Sequence, residues 1–221
     1  MQAAEFITDL IPPLKLSDRA SLALAWMEEI RTAVLPVVDQ GQFLGFVRDE
    51  VIVDLDDLGL TISEIEFDDH ECKVFGDQHV YEILKAGAEF ESNAVAIVDR
   101  EGIYQGVVTI EDSLTAFAES LSIQATGSVL VLSMDMTDYT LSEIARLIET
   151  ENGKILSSII SNDPLDSSKI KVTLKIDQPE LRHIKATLER FGYKIIDHYQ
   201  EETGVSSEED RIGNLLRFLD I

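Results

Sequence analysis

The chain has 221 residues, 45% of them apolar, with 18 basic and 42 acidic side chains and a formal charge of −24. That length suits one large domain or two small ones with a sizeable core, and so acidic a surface repels phosphate backbones and argues against nucleic acid as a partner. One cysteine, Cys72, permits no intramolecular disulfide, no run approaches the ~20 apolar residues that span a bilayer, and the first residues show neither a basic region nor a signal-length apolar stretch. A cytoplasmic protein without membrane insertion is expected.

The acid is unevenly spread. Residues 1–126 carry 25 acids and 7 bases, whereas residues 127–221 carry 17 and 11. A compositional break at Thr126-Gly127-Ser128 predicts a domain boundary there.

The first half reads as a repeat. Leu22, Ala25, Trp26 and Ile30 recur at helical spacing. An apolar strand follows at Leu35-Pro36-Val37-Val38-Asp39, then a Gly-containing turn and a second strand ending Gly45-Phe46-Val47. A short helix is expected near residues 50–55. Residues 49–71 then hold ten carboxylates and no Lys or Arg. The same order returns with Val80, Ile83, Leu84 and Gly87 on a helix, a strand at Val95-Ala96-Ile97-Val98-Asp99, a turn one residue longer, a strand through Gly106-Val107-Val108, and a helix near residues 111–119. Repeat one fills about residues 10–60 and repeat two about 70–120. Each copy leaves a sheet face it cannot bury alone, so the two are expected to pack on one another.

The tandem hydrophobic-Pro-Val-Val-Asp…Gly-hydrophobic-hydrophobic pattern resembles a pair of CBS domains, the cystathionine-β-synthase-type regulatory repeat. Gly106-Val107-Val108-Thr109-Ile110-Glu111-Asp112 is similar to that family's Gly-x-x-Thr/Ser-x-x-Asp/Asn adenosine motif. The resemblance implies Thr109 on a phosphate and Asp112 on the ribose hydroxyls. It further implies main chain at Lys73-Val74 and Asn93-Ala94-Val95 around the base. The residues agree physically: Thr109 falls at a strand-to-helix junction that favours an anion, Gly106 permits close approach, and Asp112 offers two acceptor oxygens to a diol. The same four residues also fit a helix-capping box. In the first copy Arg48 stands at the hydroxyl position and Val51 at the carboxylate position, with Asp49 left to cap the helix. At most one adenosine site of the ordinary kind per chain is therefore expected, in the second copy.

From Val129 the pattern is strand, helix, strand, strand, helix, strand. Met134 and Met136 alternate as core. Thr140-Leu141-Ser142-Glu143 reads as a capping box over a helix with Leu141, Ile144, Ala145 and Ile148 on one face, and Asn152-Gly153 as its stop. A strand at Ile155–Ile160 leads into a loop over residues 162–168. Ile170, Val172, Leu174 and Ile176 alternate with polar neighbours. Pro179 opens a helix with Leu181, Ile184, Leu188 and Phe191 on one side, and residues 194–199 close the sheet. The order is that of a ferredoxin-like split βαβ. It resembles an ACT domain, although Tyr139 stands where amino-acid-binding members carry Gly. The predicted fold is thus α/β and α+β: a CBS pair (1–126), an ACT-like βαββαβ domain (127–200), and an acidic linker with a C-terminal amphipathic helix (201–221), built on Ile212, Leu215, Leu216 and Leu219. Acetoin-utilisation-type regulatory proteins are similar in architecture.

No catalytic triad, phosphate-binding loop or zinc spacing occurs. The expected function is non-catalytic: a homodimeric regulatory protein sensing AMP, adenosine or S-adenosylmethionine. A divalent-cation-responsive module built on the acids of residues 49–71 and a scaffold with vestigial sites are the alternatives. No cofactor is obligatory; an adenosine ligand and Mg²⁺ are the candidates.

Overall fold

The computed structural model describes residues 1–67, 70–119 and 121–200. The expected C-terminal helix and acidic linker, and Asp68 and Asp69, lie outside the described residues. The chain divides into two compact units between Ala118 and Glu119, ahead of the compositional break.

In the first unit, α1 (Ala20–Ile30), β1 (Val34–Asp39), β2 (Gln42–Arg48) and α2 (Asp49–Val53) form repeat one. Repeat two consists of β3 (Lys73–Phe75), α3 (Val80–Glu89), β4 (Ala94–Val98), β5 (Tyr104–Thr109) and α4 (Ile110–Ala118). In repeat two, parallel β3 and antiparallel β5 flank β4. Repeat one pairs only β1 and β2, with Leu14 bridging Val37 in parallel where β3 would lie. The β1–β2 turn is two residues long because Gln40 and Gly41 both take positive φ, the conformation that matches strand twist. The longer β4–β5 turn is held instead by the Asp99 carboxylate, which accepts the N–H groups of Glu101 at 3.0 Å and Ile103 at 2.8 Å. Buried residues of both repeats form one apolar cluster, and Phe43 and Tyr104, at matching places in the two hairpins, stack at 6.3 Å.

The predicted inner face of α1 is rotated. Ala20, Ala23 and Met27 are buried while Ala25 is exposed. Two alanines at the contact let the helix approach its sheet closely, and the larger, half-buried Leu24, Trp26 and Ile30 pack beside them.

Each repeat is completed by chain that precedes the other one. Around repeat one, the N–H groups of Ala20, Ile62 and Ser63 donate to the carbonyls of Leu60, Asp18 and Leu16. Around repeat two the same three bonds run from Val80 to Met1, Ala3 to Gln78 and Ala4 to Gly76. Both crossing segments carry a 3₁₀ turn, Ala3–Phe6 and Ile62–Glu64. In each, a glutamate reaches back to the cap: Glu5 accepts from Gln2 N–H at 3.1 Å, and Glu64 from Thr61 N–H at 2.9 Å. Thr8 then bridges Val107 as an antiparallel neighbour of β5.

The second unit follows the ferredoxin-like order. After the short α5 (Leu121–Gln124) come β6 (Ser128–Asp135), α6 (Leu141–Thr150), β7 (Ile155–Asp163), β8 (Asp166–Ile176), α7 (Arg182–Arg190) and β9 (Lys194–Tyr199). The antiparallel sheet runs β7-β8-β6-β9. Ile170, Val172, Leu174 and Ile176 pack with Ile144, Leu147, Ile148, Ile184 and Leu188 in its core. Asn152 takes φ 62° and Gly153 N–H donates back to the Ile148 carbonyl, ending α6 as the sequence predicts.

Several local expectations are corrected. The loop over residues 162–168 shrinks to a turn at Pro164-Leu165, because Asp163 and Asp166 pair across the ends of two strands and each carboxylate accepts an N–H two residues on. Pro179 lies ahead of the helix, which begins at Arg182; its carbonyl accepts the Ser128 hydroxyl at 2.9 Å. Phe191 is half exposed past the end of α7, beside the Arg190 guanidinium. Met136 sits in a 3₁₀ turn beyond β6 and is 57% exposed. The Thr140 side chain makes no cap bond; burial first, then the nearby Glu143 carboxylate, raises the pKa of the Tyr193 hydroxyl.

Candidate ligand site

The motif of repeat two sits where β5 becomes α4. Thr109 is the last residue of β5 and Ile110 the first of α4. The Thr109 hydroxyl accepts Asp112 N–H at 3.0 Å and donates to Asp112 Oδ2 at 2.6 Å. Buried Ser113 ties the same junction by donating to the Thr109 carbonyl at 3.1 Å. The capping interaction therefore involves the same two residues that the resemblance assigns to a ligand, through the Thr109 hydroxyl and Asp112 Oδ2. Asp112 is exposed, and its Oδ1 has no protein partner among the described residues.

β4 brings the expected main-chain groups alongside. Ala94 pairs with Thr109 and Val95 with Val108. The Asn93 carbonyl accepts Ile110 N–H at 2.9 Å, and Ser92 Oγ donates to the Ala94 carbonyl at 2.7 Å. Asn93 is exposed while Ala94 and Val95 are buried. Lys73 and Val74 pair with Ala96 and Ile97, further along β4. Val74 is buried, and the half-buried Lys73 ammonium lies 3.4 Å from the Glu71 carboxylate. Thus Asn93, Ala94 and Thr109 meet directly, Val95 stands one rung away, and Lys73 and Val74 stand further off on β3.

Gly106 has a definite neighbour. A Cβ there would lie 2.4 Å from Ile7 Cγ2, so the close approach that glycine permits is made by the protein's own first residues. Gly87 is likewise required: a Cβ would meet Ile110 Cδ1 at 2.3 Å, because α3 packs directly on the start of α4. The nearness of residues 7 and 8 to the motif was missed by sequence reasoning. The matched spacings Gln2-x-x-Glu5 and Thr61-x-x-Glu64 were the available signal.

In repeat one the same junction is built differently. Asp49 N–H donates to the Ala33 carbonyl at 2.8 Å, as Ile110 does to Asn93. Arg48, in the place of Thr109, sends its guanidinium across to the Phe90 carbonyl at the end of α3, 3.0 Å away. Asp49 Oδ1 accepts Glu50 N–H at 2.8 Å, and Val51 packs against the core. Where repeat two presents a hydroxyl and a carboxylate, repeat one presents a bridge to its neighbour.

Among the described residues no group of three or more His, Cys, Asp or Glu side chains is placed to hold a metal ion. No helix among them is long and apolar enough to cross a membrane. A cleft of about 410 Å³ is lined by residues 13–17 and 38–41, and clefts of about 370 and 400 Å³ lie in the second unit; none is lined by Thr109 or Asp112.

No protein-family model matches the chain, and no curated protein matches it in sequence. Solved structures do. A CBS domain pair/ACT domain protein from Thermotoga maritima is 25% identical, with a TM-score of 0.49 over 55% of this chain and 99% of that one. CBSX2 in complex with AMP is 19% identical, with a TM-score of 0.48 over 53% of this chain and 96% of that one. The cytosolic domain of the Mg²⁺ channel MgtE in complex with ATP is 20% identical, with a TM-score of 0.45 over 52% of this chain and 48% of that one.

Proposed function

We propose that this protein is a non-catalytic regulatory sensor that binds one adenosine compound per chain at the Thr109–Asp112 junction. The observation that carries the reading is the meeting, at one strand end, of the Thr109 hydroxyl, the exposed Asp112 carboxylate and the Asn93–Ala94 main chain. Among the described residues Asp112 Oδ1 has no partner and can accept from a ribose diol, and the Asn93 carbonyl, which accepts Ile110 N–H, keeps a second lone pair for a base edge. In repeat one the corresponding side chain is Arg48, bonded to Phe90, which supports a single site. We place the protein in the cytoplasm as a homodimer, in an architecture resembling the acetoin-utilisation-type regulators.

Substitution at Asp112 tests this. Asp112→Asn keeps one acceptor but loses the charge and the second carboxylate oxygen. If Asp112 holds the ribose, calorimetry shows adenosine-compound affinity falling by ~1.5–3 kcal/mol, roughly ten- to a hundredfold, with little change in the ligand-free melting point. Unchanged affinity beside a clear loss of stability reduces the motif to a helix cap. Val51→Ala is the control: it alters packing in repeat one and leaves affinity alone.

A further inference from the structure

The side chains around Thr109 and Asp112 differ in one respect from those of a nucleotide site: the hydroxyl and the nearest basic groups that would suit a phosphate are already engaged. The Thr109 hydroxyl uses its proton on Asp112 Oδ2 at 2.6 Å and accepts Asp112 N–H at 3.0 Å. Lys73, the basic residue of β3, lies 3.4 Å from Glu71. Arg48 of repeat one bonds the Phe90 carbonyl at 3.0 Å, three residues before Asn93. Residues 90–96 and 106–115, which supply Asn93, Ala94, Thr109 and Asp112, contain Glu91 and Glu111, both exposed, and no Lys or Arg. A phosphate entering here meets Glu91 and Glu111, and neither of these two segments supplies a cation against them; a cleft screens that repulsion less than open solvent does.

Resting on the reading above, we infer that this site selects adenosine compounds without net negative charge, either free adenosine or a cationic sulfonium adenosyl compound, and discriminates against AMP and ATP. The diol binds at the free Oδ1 of Asp112. The Thr109–Asp112 hydrogen bond stays intact and orients that carboxylate. A positively charged sulfonium gains from Glu91 and Glu111 what a phosphate loses to them.

Calorimetry on the full chain in Mg²⁺-free, low-salt buffer, with adenosine, S-adenosylmethionine, AMP and ATP as probes, decides the matter. The expected result is that adenosine or S-adenosylmethionine binds at least tenfold more tightly than AMP, and AMP more tightly than ATP. Added salt should weaken S-adenosylmethionine and leave adenosine unchanged. AMP or ATP binding as tightly as adenosine or more so overturns the charge selection while leaving the adenosine reading standing. No binding by any of the four overturns both. Glu111→Lys supplies the second arm: the AMP-to-adenosine affinity ratio should rise severalfold, with the ligand-free melting point recorded alongside. An unchanged ratio shows that charge is not what discriminates, and overturns the inference.

Discussion

Arg48 donates to the Phe90 carbonyl at 3.0 Å, joining the start of the second helix of repeat one to the end of the first helix of repeat two. A helix C-terminus gathers unsatisfied carbonyls and partial negative charge, and a guanidinium satisfies both. Removing it by Arg48→Ala should cost about 1–2 kcal/mol, as for a partly buried hydrogen bond to a charged group. Arg48→Lys, with one donor in reach, should lose less. Chemical denaturation of the three proteins checks the order; equal stability would show the bond to be idle.

Gly106 and Ile7 offer a cleaner pair. A methyl group at Gly106 enters the space of Ile7 Cγ2, so Gly106→Ala should destabilise by about 1–3 kcal/mol, the usual cost of overpacking. Ile7→Ala should also destabilise, by withdrawing apolar contact from β5. Combined, the two should cost less than their sum, because the smaller side chain at residue 7 makes room for the new methyl. Strict additivity in a double-mutant cycle would place the effect elsewhere.

The caps of the crossing segments give a dependence on acid. The N–H of Thr61, and after it the Thr61 hydroxyl, hold the Glu64 carboxyl below its ordinary value of 4.5. A carboxyl whose pKa is lowered by folding stabilises the fold above its unfolded pKa, and the gain is lost as pH falls through the folded value. Wild type should therefore melt above Glu64→Gln at pH 6, with the difference shrinking as pH falls below 4.5 and through the lowered folded value. A gap that holds constant down to pH 3 would contradict the ionised cap.

The proposed homodimer has a candidate surface that can be tested. Val53 and Leu114 occupy matching positions on α2 and α4, eight residues past Gly45 and Gly106, and are 67% and 56% exposed. Two like apolar positions related by the repeat suit a two-fold partner. Sedimentation equilibrium should report twice the chain mass of 24.7 kDa, and Val53→Glu with Leu114→Glu should return the monomer. A wild-type monomer at micromolar concentration would refute the dimer.

Much of this architecture was legible from side-chain period and turn chemistry. The alternation of Ile170, Val172, Leu174 and Ile176 marked a one-sided strand, and all four are buried. Asn152-Gly153 marked the end of α6. Thr109 and Asp112 were legible as a pair, though in two senses, and the structure shows the capping one, which leaves Asp112 Oδ1 without a partner among the described residues. What escaped was carried by backbone or by small residues. Ala20 and Ala23 are weak signals beside Trp26, yet they form the contact line of α1. The crossing of residues 1–8 to repeat two is made by main-chain hydrogen bonds, which any sequence without proline at those positions can form. Tyr193 captured Glu143 from a distance in sequence that no local window spans.

The exchange of crossing segments also orders events in time. Thr8 must find Val107, so a segment made about a hundred residues earlier is among the last to be placed. At synthesis rates of roughly 5–20 residues per second, the segment waits on the order of 5–20 s for its docking strand to emerge. Closing so wide a loop adds little entropy beyond a shorter one, since the cost grows only with the logarithm of length. It does slow the search, because contacts between distant residues form late. Repeat one has its own crossing segment, residues 58–67, in hand as soon as it is made. Repeat two, by contrast, closes only when residues 1–8 fold back to meet it.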